Sequence, residues 1–186
     1  MKILLFNIPE NIDKVDLSSI STKFVSEKRN LEYSIGRLLV RYGAFEFFGV
    51  DDVKIDETFA KPRIVDDKFY FSISHSHDYV AVAFDNAEIG FDIEKIKDKN
   101  YEKIAQRMKF NCKNLKEFYQ EWTKYEAIYK SGINIAENFR FKDYMCAISG
   151  NVINSIKFYN VKLLQNNFDF LMGLLDNISI EEVEFK

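Results

Sequence analysis

Residues 69–94 read FYFSISHSHDYVAVAFDNAEIGFDIE. Phe69, Phe71 and Ile73 alternate with Tyr70, Ser72 and Ser74, the period-two pattern of a half-buried strand. The polar run 74–78 predicts a turn. Tyr79–Asp85 predicts a second strand with Val80, Val82 and Phe84 on one face. Asn86, Ala87 and Glu88 turn the chain again, and residues 89–94 predict a third strand. Together the three predict an antiparallel meander.

On the N-terminal side, residues 1–8 predict a strand. Residues 26 to 43 place Leu31, Ile35, Leu38 and Leu39 at helical spacing between charged residues, with Gly43 as a stop signal. On the C-terminal side, residues 97–116 carry seven Lys or Arg against two acids, Asp98 and Glu102, and are helical in tendency. Residues 114–132 predict a longer helix ended by Gly132. Alternating apolar residues return at Val152, Ile156 and Phe158, then at Phe168, Phe170, Ile178, Ile180, Val183 and Phe185, which predicts a second meander. Helix followed by meander therefore occurs twice, consistent with a duplication whose boundary lies near residue 87.

Composition bounds the function. At 186 residues with 47% hydrophobic and 30% charged side chains, the chain can bury a core and is not a disordered or low-complexity sequence. A net charge of −3 argues against a general nucleic-acid binder, whose affinity rests on a basic surface. Two cysteines, Cys112 and Cys146, make no disulfide framework and read as reduced thiols. The first apolar run stops near Pro9, too short for a signal-peptide core. The longest apolar runs, 79–84 and 170–175, fall far short of the roughly 20 residues of a membrane helix. A soluble cytoplasmic protein is expected.

Three constellations carry chemistry. Asp92 and Glu94 are two apart on a strand, so both carboxylates share one face while Phe91 and Ile93 share the other. Two carboxylates that close favour a bound cation or a raised pKa, and oxygen donors suit Mg²⁺; taken alone, the pattern reads first as a plain amphipathic strand with a solvated face. Trp122, Glu126 and Lys130, at i, i+4 and i+8, form one stripe of a helix, offering an acid for metal or base work and a cation for phosphate, or an ordinary salt bridge beside a buried Trp. Finally, His75 between Ser74 and Ser76 can cradle a phosphate, belong to a hydrolase, or cap a turn. The only two histidines sit two apart with no nearby Cys, which argues against zinc.

The joint order of these pieces resembles the 4′-phosphopantetheinyl transferase superfamily, in its two-repeat type that activates peptide and polyketide synthetases. The resemblance rests on Lys61-Pro62, Phe71-Ser72-Ile73-Ser74-His75-Ser76, residues 80–85, residues 89–95 and residues 122–130, and more weakly on Gly36-Arg37-Leu38-Leu39-Val40-Arg41. It implies an α+β fold: a pseudo-twofold pair of similar halves, residues 1–86 and 87–186, each a long helix packed on a small antiparallel sheet, with the site at their junction. It implies transfer of the phosphopantetheine arm of coenzyme A to a serine of an apo carrier protein. Asp92, Glu94 and Glu126 would hold Mg²⁺, or Mn²⁺, and Glu126 would help take the serine proton. Lys130 and His75 would contact the diphosphate, Lys61 and Ser74 would seat the nucleotide, and Lys28 and Arg41 would reach the 3′-phosphate. The chain would act as a monomer, with the basic run 97–116 as a docking face for an acidic carrier. The family pattern has a lysine where this chain has Tyr125, and Lys124 lies about 100° round the helix from that position. That departure keeps a non-catalytic coenzyme A or carrier-binding homologue, and an Mg²⁺-dependent phosphohydrolase, as alternatives.

Overall fold

The computed structural model describes residues 1–9, 23–59, 61–66, 68–151, 155–163 and 178–183. Among them lie three helices, α1 (Glu27–Phe48), α2 (Glu102–Met108) and α3 (Leu115–Ser131). The strands are β1 (Lys2–Asn7), β2 (Ile55–Asp56), β3 (Arg63–Ile64), β4 (Tyr70–Ser76), β5 (Tyr79–Asp85), β6 (Ile89–Lys95), β7 (Ala136–Phe141), β8 (Tyr144–Gly150), β9 (Lys157–Leu163) and β10 (Ile178–Val183). The fold is mixed α+β. No helix among the described residues is long and apolar enough to cross a membrane. The apolar run 170–175 and the alternation at Val152, Phe168, Phe170 and Phe185 lie outside the described residues.

Two main sheets form. The first has the order β10-β9-β1-β5-β4 and the second β6-β8-β7; β2 and β3 make a separate ribbon. All neighbours pair antiparallel except β1 with β9, which run parallel. Strand β5 shows why its sequence is a near-continuous apolar run. Val80, Val82 and Phe84 pack under α1 with Leu4 and Phe6, while Tyr79, Ala81 and Ala83 pack on the other side with Ile3, Leu5, Phe91, Ile93 and Cys146. A central strand buried on both faces has no polar face to display. The layers are therefore α1, first sheet, second sheet, α3.

Two expectations are corrected. The strand β6 does not extend a meander from β5. Both edges of β5 are taken, one by β4 and the other by β1, so the chain leaves the first sheet at residues 86–88 and β6 pairs with β8. The predicted second meander is likewise not a separate sheet, since β9 and β10 pair with each other and then join β1.

Helix α1 also runs past Gly43. A Cβ there would strike the Phe84 ring, so this glycine is a packing site within the helix. The stop is Gly49, at φ 65, whose N–H donates to Phe45 O at 2.9 Å while Val50 N–H reaches Ala44 O at 3.1 Å. The helix gains by continuing: Phe47 and Phe48 pack against Phe84 and Phe69. In α3 the expected ends hold, with the Asn114 side chain accepting from Glu117 N–H and Gly132 closing the C-terminus at φ 73.

Candidate active site

The site begins with a missing side chain. A Cβ at Gly90 would overlap the carbonyl oxygen of Ala127, so only glycine lets β6 lie this close to α3. That approach lays the stripe Trp122, Glu126 and Lys130 against β6. Trp122 Nε1 donates to Glu94 Oε1 at 3.2 Å; Lys130 Nζ donates to Asp92 Oδ1 at 2.8 Å and to Phe91 O at 3.0 Å.

From the other side comes β4. Its strand continues through residues 74–76, and the turn is confined to His77, at φ 55, and Asp78. Three alternate serines then form a ladder to β6. The hydroxyls of Ser72, Ser74 and Ser76 accept from Phe91, Ile93 and Lys95 N–H at 3.0, 3.3 and 3.0 Å. Ser74 also donates to Asp92 Oδ1 at 2.8 Å and Ser76 to Glu94 Oε2 at 2.9 Å. The two carboxylates thus do not sit on a solvated strand face; the Asp92 side chain is only 6% exposed. Ser74, expected at the nucleotide, is buried beneath Asp92.

The electrostatics are unbalanced. Asp92 Oδ1 receives two donors, while Oδ2 is buried with no hydrogen-bond partner. An unsatisfied buried carboxylate oxygen costs free energy. Burial, then the charge of Asp92, pushes Glu94 above the ordinary carboxylate range. Burial and Asp92 raise Glu126 in the same way, against the opposing pull of Lys130. Like charge and burial around these carboxylates are what a hard cation would relieve, and the bare Asp92 oxygen is an acceptor left over. Among the described residues no group of three His, Cys, Asp or Glu side chains is placed to hold a metal ion.

Beside these acids lies a cleft of ≈ 500 Å³. Phe59, Lys61, Pro62, Arg63, Phe71, Ser72, Ile73 and Glu88 line it together with Glu126, Tyr129, Lys130, Ser131 and Gly132 from the end of α3. Lys61 Nζ donates to Glu88 Oε1 at 2.5 Å and Ile89 O at 2.7 Å. Burial lowers the pKa of Lys61, against the pull of Glu88, and the charges of Arg63 and Lys130 add to the lowering. Cations gathered against their own repulsion suit a polyanionic ligand.

His75 stands near this centre, its ring half exposed, with Nδ1 3.3 Å from Glu32 Oε2. Desolvation lowers its pKa; Glu32 opposes the shift, while Lys130 and Arg29 add to it. The expected residues Asp92, Glu94, Glu126, Lys130, Ser74, His75 and Lys61 therefore gather around one junction. Lys28 lies beside Glu32, its Nζ 3.7 Å from Oε1 and 60% exposed. Arg41 is exposed on the same helix. It lies thirteen positions beyond Lys28, about 20 Å along the helix, so the two do not converge on one phosphate.

Sequence reasoning missed Glu32, Glu88 and Arg63. Glu32 carried a signal: it interrupts the apolar stripe that runs through Ile35 and Leu39, where an acid is out of place. Glu88 and Arg63 carried none, being ordinary charged residues, one in a short turn and one in the two-residue strand β3.

No family model matches the chain. It is similar to the 4′-phosphopantetheinyl transferase gsp of Aneurinibacillus migulanus, with 24% identity over a 156-residue alignment that takes in 70% of this chain. The match spans 65% of that protein, less than two thirds of its length. The likeness supports the resemblance read from the motifs at the level of the superfamily.

Proposed function

We propose that this protein transfers the 4′-phosphopantetheine arm of coenzyme A to a serine hydroxyl of an apo carrier protein, releasing adenosine 3′,5′-bisphosphate. The observation that carries the reading is the half-satisfied Asp92 carboxylate beside Glu126 and Lys130, next to a cleft furnished with Lys61 and Arg63. In this reading α1 on the first sheet and α3 on the second belong to two related halves, 1–86 and 87–186. The chain works as a monomer and docks its carrier through the basic run 97–116.

The chemistry follows from the residue types. The diphosphate of coenzyme A enters the cleft and meets Lys130, with Lys61 toward the nucleotide. The carrier serine oxygen attacks the phosphorus that bears the pantetheine arm. The bond from that phosphorus to the oxygen of the adenosine-side phosphate breaks, and that oxygen leaves with the bisphosphate. Glu126 accepts the serine proton as the general base. Lys130 offsets the charge that grows on the departing phosphate. A divalent cation, Mg²⁺ or Mn²⁺, would be held by Asp92, Glu94 and Glu126 and when bound neutralises the diphosphate.

The test is direct. Purified protein with coenzyme A, Mg²⁺ and a panel of apo carriers from fatty-acid, polyketide and peptide synthesis should add one phosphopantetheine arm to a carrier, read by intact mass. Binding of coenzyme A or carrier with no mass gain across the panel would replace the enzyme with the non-catalytic homologue. Free phosphopantetheine formed without carrier would point to a hydrolase.

A further inference from the structure

Glu32 has no part in the reaction described above, yet it is an acid with a side chain only 7% exposed, and it is the one charged residue that this helix buries among the described residues. Buried acids are rare unless something holds them. Among the described residues the ionisable groups within 4 Å of its carboxylate are Lys28, itself largely in solvent, and His75, whose Nδ1 lies 3.3 Å from Oε2. Strand geometry explains the encounter. Ser74 and Ser76 point into the ladder with β6, so the residue between them points to the opposite side of β4, the side on which α1 packs.

An ionised carboxylate only accepts hydrogen bonds. A ring nitrogen that faced it with a lone pair would be repelled, whereas a ring N–H is attracted. Among the described residues no protein group bonds the other ring nitrogen, Nε2. We propose that Glu32 is a positioning residue that keeps the His75 proton on Nδ1, and so makes Nε2 the nitrogen that His75 offers to an arriving phosphate.

The consequence is chemical. With Nδ1 protonated in both charge states, Nε2 is the atom that changes: a lone pair in neutral imidazole, an N–H donor in imidazolium. A phosphate anion favours the second form and is met by a charged donor. The groups whose charge acts on this ring are Glu32 and Arg29 from α1, Lys130 from α3 and Asp92 from β6. The inference rests on the expectation that His75 meets the diphosphate and so deepens the proposed reading, but its test does not depend on that reading.

Nitrogen-15 NMR of the full chain, without ligand and at a pH where imidazole is neutral, reads the tautomer directly. There are two histidines, and His77→Gln leaves the signals of His75 alone. Free histidine prefers its proton on Nε2, so an Nδ1–H tautomer for His75 is diagnostic. The wild type should show it, and Glu32→Leu, which fills the same buried space without an acceptor, should exchange the shifts of the two ring nitrogens. A wild-type His75 protonated on Nε2, or an unchanged tautomer in Glu32→Leu, overturns the proposal. If Glu32→Leu fails to fold, the wild-type spectrum alone decides. Carriers that gain no arm would sink the transferase reading and leave this result standing.

Discussion

Two clusters of charge, one around Glu57 against α1 and one around Asp92 between β4 and α3, are built on opposite principles. Around Glu57, one acid has more donors than it needs. Tyr33 Oη reaches both of its oxygens at 2.6 and 2.5 Å, Arg37 Nε lies at 2.5 Å and Lys23 Nζ at 2.9 Å. Burial alone would raise its pKa, but the hydrogen bonds from Tyr33, Lys23 and Arg37 win and bring it down to about 2. Around Asp92 the ratio is reversed: the one lysine bonds Asp92 alone among the acids, one buried oxygen is left bare, and the two flanking acids are pushed up. A satisfied charge fixes structure, here the segment after β2 against α1. An unsatisfied one marks a place where something not in the chain belongs.

The sharpest way to break this contrast is Glu126→Gln. Transfer should fall by at least about 100-fold in the mass assay, the loss of a general base. Thermal stability should stay level or rise at neutral pH, because one of three repelling charges is gone. The sign is set by the raised pKa. The protonated form fits the fold better, so the wild type matches the variant below the ordinary carboxylate value of 4.5 and loses ground as pH climbs through the folded value. Full activity in this variant, or a large stability loss, would erase the distinction.

Glu57→Gln should behave the opposite way. We expect about 1–2 kcal/mol of stability lost at neutral pH by denaturant titration, with the rate of transfer kept. Its folded pKa is depressed, so the wild-type advantage is complete above 4.5 and fades as pH falls toward about 2. An advantage that persisted unchanged at pH 2 would show that the Glu57 charge is not what holds this corner. The smallest effect belongs to Tyr125→Lys. Tyr125 is partly exposed, with its ring 5.9 Å from that of Phe110, and the change should leave transfer within about threefold of wild type or raise it. A clear loss would give the tyrosine a role of its own at the site.

Much of this was legible along the chain. The α3 stripe, its caps and the pairing of β4 with β5 follow from local spacing, because one helix face or one strand face is enough to reveal them. The strand β8 was not legible. All seven of its residues, Tyr144 to Gly150, are buried, so it shows no alternation to read. Gly43 misled for a related reason: a glycine that ends a helix and one that admits a Phe ring look the same in sequence.

The sequence by itself determined the chemical vocabulary of the site: two acids two apart on a strand, an acid and a lysine four apart on a helix, and serines alternating around a histidine. Those spacings follow from fixed helical and strand periods and need no partner. Only the tertiary structure decided what they face. It gave the edge of β5 to β1 and turned β6 toward the serines of β4. It let Gly90 admit α3, left one Asp92 oxygen bare and set Glu32 beside His75. Each of these depends on which surfaces compete for one another in space, and that competition is settled by packing between segments far apart in the chain.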